Sequence, residues 1–504
     1  MKYFHYVYTL HFGVAVLLFF ALAYPHHLHY QEQFQLFLFD GAYVWEIVRL
    51  PGGIADLLGR FCTQFFLYAW VGSLIVAILL SLVQILTLRS ADWGRLYGLS
   101  FVPAFLLWVF LLDENALLGG VWAVIITLLF SWAFDKLADG WLRRCLLVAA
   151  VPVLYWMVGP VCLLFFLLQA PSPKRSAWYY GVFVLLALMT FLLSYFLPVP
   201  PRSLYTGIHY HRYPTVVPIF LWVASLSVFV LTLIARSFSN GRTDSRPAKI
   251  SASFAAPLIS FVLVAVVMGS VVWKNSNFKA EKVMRYDFMA RYQQWNRILQ
   301  TISTEKPNNQ IGVTVQNLAL AIHGLLCDHL FEYNQNGLSG LLPDVGTDAV
   351  SPLPTAEAFY QLGMVSVAQR TVFEAQEAIL DFQKSARCYK RLAQTNLILG
   401  SYEVARKYLL ALQKTLFYRE WANETLPLLG NEEAIAKHPE YGRLRRMAYK
   451  EDFYYGNHVT AEMLNNLYFS NTDNRLAYEY LKAYYILTGD RGNYEKLLLQ
   501  TTKQ

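Results

Sequence analysis

Apolar runs follow one another from residue 7 to about residue 273, parted by short polar breaks, and then they stop. Nearly uncharged runs of about twenty residues have the length that a helix needs to cross a bilayer's hydrocarbon core. They predict spans at 7–25, 62–88, 98–112, 117–134, 178–197, 216–235 and 254–273. From Asn275 onward charges are spread along the chain and apolar positions return at helical spacing. Two such unlike patterns predict two domains and an all-α fold class. Residues 1–273 form a polytopic transmembrane domain of about seven full spans, and 274–504 form a soluble helical domain.

One run is ambiguous. "CLLVAAVPVLYWMVGPVCLLFFLLQA", 145–170, crosses once or bends at Gly159-Pro160 and returns as a re-entrant hairpin. Cations accumulate on the cytoplasmic side of membrane proteins. A hairpin puts twelve Lys and Arg inside (Lys2, Arg89, Arg95, Lys136, Arg143, Arg144, Lys174, Arg175, Arg236, Arg242, Arg246 and Lys249) and four outside. A single crossing gives eight on each side, so the hairpin is the expectation. Loops 26–60, 113–116 and 199–215 then share the outer face with the whole tail, and the N-terminus is cytoplasmic. In a bacterial inner membrane that outer face is periplasmic. The first run also resembles a signal peptide, with "ALA" at 21–23 before Tyr24 as a cleavage site.

Within the tail, "CYKRLAQTNLILG" runs into "SYEVARKYLLALQKTLF", with Gly400 at the turn and Ala405, Tyr408, Leu409 and Leu412 on one helical face. The pattern resembles tetratricopeptide repeats. A weaker echo spans 476–499, and "QNLALAIHGLLCDHLF" and "PTAEAFYQLGMVSVAQRTVFEAQEAIL" are also helical in period. Such repeats stack into surfaces that bind peptides or partners, or they simply cover another domain.

Composition agrees, at 56% hydrophobic and 15% charged. The net charge of +8 comes largely from loop cations, which the orientation rule already explains, so no nucleic-acid partner is expected. Cys62, Cys145 and Cys162 lie in or beside spans, whereas Cys327 and Cys388 could pair if the tail is in an oxidising compartment.

The outer loops hold the candidate chemistry. The first carries Glu32, Asp40, Glu46 and Asp56 in a greasy stretch, with 31–50 expected as an interfacial helix. The second, "LLDENALLGG", presents Asp113 and Glu114 at the membrane surface. The third, "PVPPRSLYTGIHYHRYP", offers Arg202, His209, His211 and Arg212. Acids at a bilayer boundary cost free energy unless solvated or paired, which makes them functional candidates. Acids from two loops and bases from a third suit a divalent cation such as Mg or Mn, or a general base facing an anionic group. Asp40, Glu46, Asp113, Glu114, Arg202, His209, His211 and Arg212 are the candidates for such chemistry. Each also has a plainer reading as an ordinary charged loop end. A rival arrangement joins His26, His27 and His29 to His209 and His211 around a transition metal, although "HHLH" and "HYH" are tightly spaced for that. No GxxxxGK[ST], HExxH or GxSxG occurs, and charge is scarce within the spans, which argues against ion-coupled transport.

This layout resembles the C superfamily of glycosyltransferases, multi-spanning enzymes that use polyprenyl-phosphate-linked sugar donors and include oligosaccharyltransferases. That resemblance implies Asp40 as the first-loop catalytic acid, Asp113 and Glu114 as metal ligands, and Arg202 or Arg212 at the donor phosphate. Gly41 stands where that family often carries a second acid. In wording, "FDGAYVWEIVRLPGGIADLLGRFCTQFF" and "NLALAIHGLLCDHLFEYNQNGL" look like an uncharacterised family of multi-spanning Bacteroidota proteins. The expected function is an enzyme acting on a lipid-linked sugar, with the tail engaging a protein acceptor. The alternative is a non-enzymatic envelope assembly factor working through the tail; a lipid or solute transporter comes third.

Overall fold

A computed structural model describes residues 4–138, 140–170, 176–240, 255–344, 351–380, 383–451 and 455–501. Of the inner-side cations, Lys2, Lys174, Arg175, Arg242, Arg246 and Lys249 lie outside these ranges. Among the described residues the protein is all-helical, and its β-structure is one isolated bridge, Ala116 to His211. The chain divides into two compact units. The first comprises 1–32 and 39–278, and the second comprises 33–38 and 279–504.

The first unit contains α1 (Phe4–Leu18), α2 (Pro25–Gln33), α3 (Gly41–Val48), α4 (Gly53–Thr63), α5 (Ala69–Leu88), α6 (Val102–Phe110), α7 (Leu118–Phe134), α8 (Trp141–Val158), α9 (Leu163–Gln169), α10 (Ser176–Phe196), α11 (Pro201–Thr206), α12 (Ile219–Asn240) and α13 (Ala255–Asn275). Five stretches are long and apolar enough to cross a membrane: Tyr6–Ala23, Ala69–Leu88, Trp141–Gln169, Ile219–Phe238 and Ala256–Asn275. Gly94–Phe110, Leu118–Phe134 and Tyr180–Phe196 are shorter apolar helices.

Two runs differ from their expected limits. The run expected at 62–88 begins its long helix only at Ala69, because Tyr68 is extended (φ −114°, ψ 104°) and ends a separate helical stretch. The run expected at 98–112 is a 3-10 helix, Gly94–Phe101, continued by α6, where Pro103 sits in the first turn and loses no hydrogen bond. Polar side chains pair within this apolar interior. Thr9 donates to Gln84 (2.8 Å), Gln84 donates to Ser100 (3.0 Å), and Ser90 meets Thr232 (2.7 Å). Such pairs tie helices together where water cannot compete.

The stretch 141–169 breaks at Gly159, whose φ of 68° and ψ of −154° suit glycine. Arg143, near its start, donates to Gln169 at its end (2.9 Å), and Gln169 donates to Ser131 (3.1 Å) and Asp135 (2.9 Å). The chain therefore returns to the end it left. At the opposite end, Gly52 N–H donates to Trp156 O (2.8 Å) and Tyr155 donates to Leu204 O (2.8 Å). The break frees backbone groups, and Tyr210 satisfies them. Its hydroxyl donates to Val158 O and accepts from Val161 N–H (3.3 Å). Tyr210→Phe leaves both groups buried without that partner, an expected loss of about 1–3 kcal/mol. A lowered thermal midpoint of the purified chain in detergent reads this; an unchanged midpoint shows that the break is held by other groups.

The loop end of the first unit departs from the expected 31–50 helix. Helix α2 ends at Gln33, residues 35–40 are not helical, and α3 begins only at Gly41. Residues 33–38 are all buried, and Leu36 N–H pairs with Lys384 O (2.9 Å). Arg387 donates to Gln33 (3.1 Å) as well as to both oxygens of Asp287. The hexapeptide 33–38 is thereby part of the second unit.

The second unit runs α14 (Phe278–Arg291), α15 (Trp295–Glu305), α16 (Gln310–Ile322), α17 (Pro352–Leu362), α18 (Val365–Glu377), α19 (Ala386–Ile398), α20 (Tyr402–Gln413), α21 (Arg419–Thr425), α22 (Glu432–Lys437), α23 (Pro439–Met447), α24 (Thr460–Ser470), α25 (Arg475–Thr488) and α26 (Arg491–Thr501). Helices α17 and α18, α19 and α20, and α24 and α25 pack as pairs. Ala405, Leu409 and Leu412 of α20 are fully buried, and Tyr408 is half-buried against Tyr389. Neither Cys327 nor Cys388 is in a disulfide. Cys327 points at Glu479 O (3.6 Å), whereas Cys388 is buried in the first turn of α19, so no disulfide joins them.

Candidate functional site

The second and third loops of the first unit meet. Arg212 N–H donates to Asn115 O (2.8 Å) and Leu117 N–H donates to Tyr210 O (3.1 Å), which together form the short bridge. This pairing sets His211 against Asp113, with Nε2 3.1 Å from Oδ2. His211 Nδ1 lies 3.1 Å from Tyr213 N and 3.2 Å from Tyr213 O, while Nε2 is directed at the carboxylate. Asp113 Oδ1 accepts from Asn115 N–H (2.9 Å). Burial works to raise the Asp113 pKa, but the hydrogen bonds from His211 and Asn115 and the nearby imidazoles outweigh it. The carboxyl is held below its usual range and is ionised at neutral pH. Its side chain remains 47% exposed.

The first loop supplies the floor. His27 donates to Leu111 O (2.9 Å), and burial pushes its pKa down to about 4 despite that bond and Asp113, so it is neutral. Gln31 donates to Ala116 O (3.2 Å) and Asp113 O (3.4 Å). Arg212 is buried, and its guanidinium donates to the Tyr30 hydroxyl (3.4 Å). Burial raises the Tyr30 pKa, Arg212 opposes the rise, and Glu114 adds to it, which places that acid close by.

A second cluster lies on α4. Asp56 accepts from Arg60 one turn later (2.9 Å), and His209 Nδ1 stands 3.5 Å from the same oxygen. All three side chains are buried, and Tyr43 of α3 hydrogen-bonds Arg60. Helices α4 and α7 cross here almost backbone to backbone. A Cβ on Gly59 would lie 2.4 Å from Gly119 N, and one on Gly119 would lie 2.8 Å from His209 O.

The structure thus brings together Asp113, His211 and Arg212, with Glu114 beside them, and gives His209 to Asp56. Asp40 is the N-cap of α3, accepting from Ala42 N–H (3.4 Å), and Glu46 is exposed on the same helix. Arg202 is exposed on α11 and makes no ion pair among the described residues. The residues that sequence reasoning passed over are Tyr30, Gln31, Tyr43 and Arg60, while His27 and Asp56 were candidates there without these partners. Of the four, only Arg60 carried a signal, its i,i+4 spacing from Asp56 in "GIADLLGRF".

Among the described residues no three His, Cys, Asp or Glu side chains gather closely enough to hold a metal ion. Asp113 and Glu114 are two carboxylates, and magnesium is commonly held by one or two, with waters and substrate phosphates completing its six oxygen ligands. The histidine rival is divided. His27 faces a carbonyl, His209 faces Asp56, His211 faces Asp113, and His26 and His29 stand 6.1 Å apart ring to ring.

An all-helical chain with membrane-length apolar helices and two charged clusters at loop ends defines a class, not an activity. The chain belongs to the family described as a family of unknown function (DUF6057), whose model matches residues 1–504. No curated protein and no solved structure matches it.

Proposed function

We propose that this protein is a membrane transferase acting on a polyprenyl-phosphate-linked sugar at the bilayer boundary. What supports the reading is the meeting of two loops, where the half-exposed Asp113 carboxylate pairs with His211 and the next residue, Arg212, is buried with its guanidinium on Tyr30. Arg212 binds the donor phosphate, since a guanidinium's planar donors match phosphate oxygens. Asp113, ionised and open to solvent, takes the proton of the acceptor's nucleophile. His211 positions that carboxylate through Nε2–H. Asp40 and Glu46 serve α3, and the base is Asp113 in their place.

The loops face the periplasm, with Arg89, Lys136, Arg143 and Arg236 toward the cytoplasm. Arg236 donates to Ser90 O (3.0 Å) and Leu168 O (3.4 Å), which gathers Arg236, Arg143 and the Arg89 turn at one end. Asn277 N–H donates to the Tyr24 hydroxyl (2.6 Å), so the chain leaves the bundle at the other. The second unit, read as tetratricopeptide-like, engages the acceptor.

The test uses the full chain in detergent with polyprenyl phosphate as probe. Arg212→Gln should weaken binding about 10- to 100-fold, the value of a charge-assisted hydrogen bond, with Arg212→Lys intermediate and Arg202→Gln near wild type. Asp113→Asn should bind the probe normally but transfer no labelled sugar. Equal binding by wild type, Arg212→Gln and Arg202→Gln removes the proposal.

The packed helix pairs of the second unit favour one other reading, an envelope assembly factor without catalysis. In that case Asp113→Asn is harmless in cells and substitutions on α19 and α20 are not.

A further inference from the structure

A cavity of about 340 Å³ lies in the first unit between α9 and α12. Pockets that hold small ligands begin at about this size. Leu163 and Leu167 of α9 form one wall, Ile219, Trp222 and Leu226 of α12 form the other, and Val217 joins them just before α12 begins. The polar groups of the lining are spent elsewhere. Trp222 Nε1–H donates to Thr206 O (3.1 Å), and the Ser225 hydroxyl donates to Leu221 O (2.9 Å). The lining therefore offers hydrocarbon alone, and apolar cavities of this kind exclude water and take apolar molecules.

The cavity opens along a helix of membrane length, Ile219–Phe238. Ile219 and Leu226 line it and are still 67% and 54% exposed, so it is a groove reached from the side that faces lipid. From Ile219 to Leu226 it follows roughly 10 Å of helix, along the direction in which lipid chains run beside a span. Both walls are tied to the third loop. Val161 N–H, two residues before Leu163, donates to the Tyr210 hydroxyl (3.3 Å). On the other wall Val217 follows Arg212 by five residues, and Val216 N–H donates to Tyr213 O (3.0 Å). A chain lying in the groove thus has one end at the loop that carries Arg212.

A phospholipid hangs two acyl chains on one phosphate, whereas a prenyl phosphate hangs one chain on one phosphate. A single groove leading from a single buried guanidinium matches the second. We propose that the groove between α9 and α12 binds the isoprenoid chain of the lipid whose phosphate Arg212 binds. The choice of lipid rests on the phosphate reading of Arg212 given above, and the affinity of the groove for a hydrocarbon chain does not.

Photolabelling of the full chain in phosphatidylcholine nanodiscs tests it, with labelled peptides mapped by mass spectrometry. Three probes carry a diazirine on the hydrocarbon chain: polyprenyl phosphate, the uncharged polyprenol and phosphatidylglycerol. Both prenyl probes should label α9 and α12 above α10 and α13, whose exposed apolar side chains report ordinary lipid contact. Leu226→Trp, which fills the mouth of the groove from an exposed position, should lose most of that labelling at an unchanged thermal midpoint. Val230→Trp, one turn further along α12 and outside the lining, should keep it. Equal labelling of all four helices, or full labelling in Leu226→Trp, overturns the groove. Labelling by phosphatidylglycerol as strong as by the prenyl probes overturns the isoprenoid assignment. Arg212→Gln should cut labelling by the phosphate and spare the polyprenol. If it changes neither, the phosphate reading of Arg212 fails while the labelled groove stands.

Discussion

Asp56→Asn should destabilise the first unit by about 3–5 kcal/mol, the usual cost of leaving a buried charge without its partner. The side chains of Asp56 and Arg60 are 1% and 9% exposed, and the carboxylate also faces His209. Arg60 cannot shed its proton to escape, since burial that would lower its pKa is outweighed by Asp56 and Tyr43. Asparagine keeps the shape and one acceptor, so the loss reports charge rather than packing. The thermal midpoint in detergent should fall, and the Asp56→Leu/Arg60→Met double variant should recover most of it, because apolar replacement of a whole buried pair is often neutral. A midpoint for Asp56→Asn equal to wild type would show that water reaches Arg60 and that the pair is not a buried one.

The same pair shows how far a sequence carries. "GIADLLGRF" puts an acid and a base one helical turn apart, yet nothing local says that the turn is buried or that His209, more than 140 residues away, closes on it. Apolar runs translated into helices because length and composition are local properties. The approach of the second loop to the third was legible for a related reason: both are short and join helices that end on one face. Which members of those loops meet was not legible. Arg202 and Arg212 look equivalent in the sequence, but α11 turns the first outward while the bridge at His211 carries the second inward. Asp40 looked like an isolated interfacial acid, whereas its backbone position makes it a helix cap. The expected helix over 31–50 failed because the chain there pairs with Lys384, a partner that no local pattern announces.

Gly119→Val should damage the fold and the site together. A Cβ there meets His209 O at 2.8 Å and Asp56 Cα at 3.3 Å, and its neighbour across the crossing, Gly59, would place a Cβ 2.4 Å from Gly119 N. All these obstacles are backbone, so no side-chain rotation relieves them, and overpacking costs about 1–3 kcal/mol even where side chains can move. Close helix crossings in membranes rely on small residues for this reason. The backbone that must yield is that of His209, two residues before His211 and three before Arg212. Gly119→Ala should therefore weaken polyprenyl phosphate binding even where the chain still accumulates, and Gly59→Ala should lower the amount of folded chain. Gly181→Ala on α10 and Gly269→Ala on α13 are the comparison, since a Cβ meets nothing within 4 Å at either position. Both should be neutral or stabilising by about 0.5–1 kcal/mol. If all four variants behave alike in thermal midpoint and in binding, the α4–α7 crossing does not set the position of the third loop.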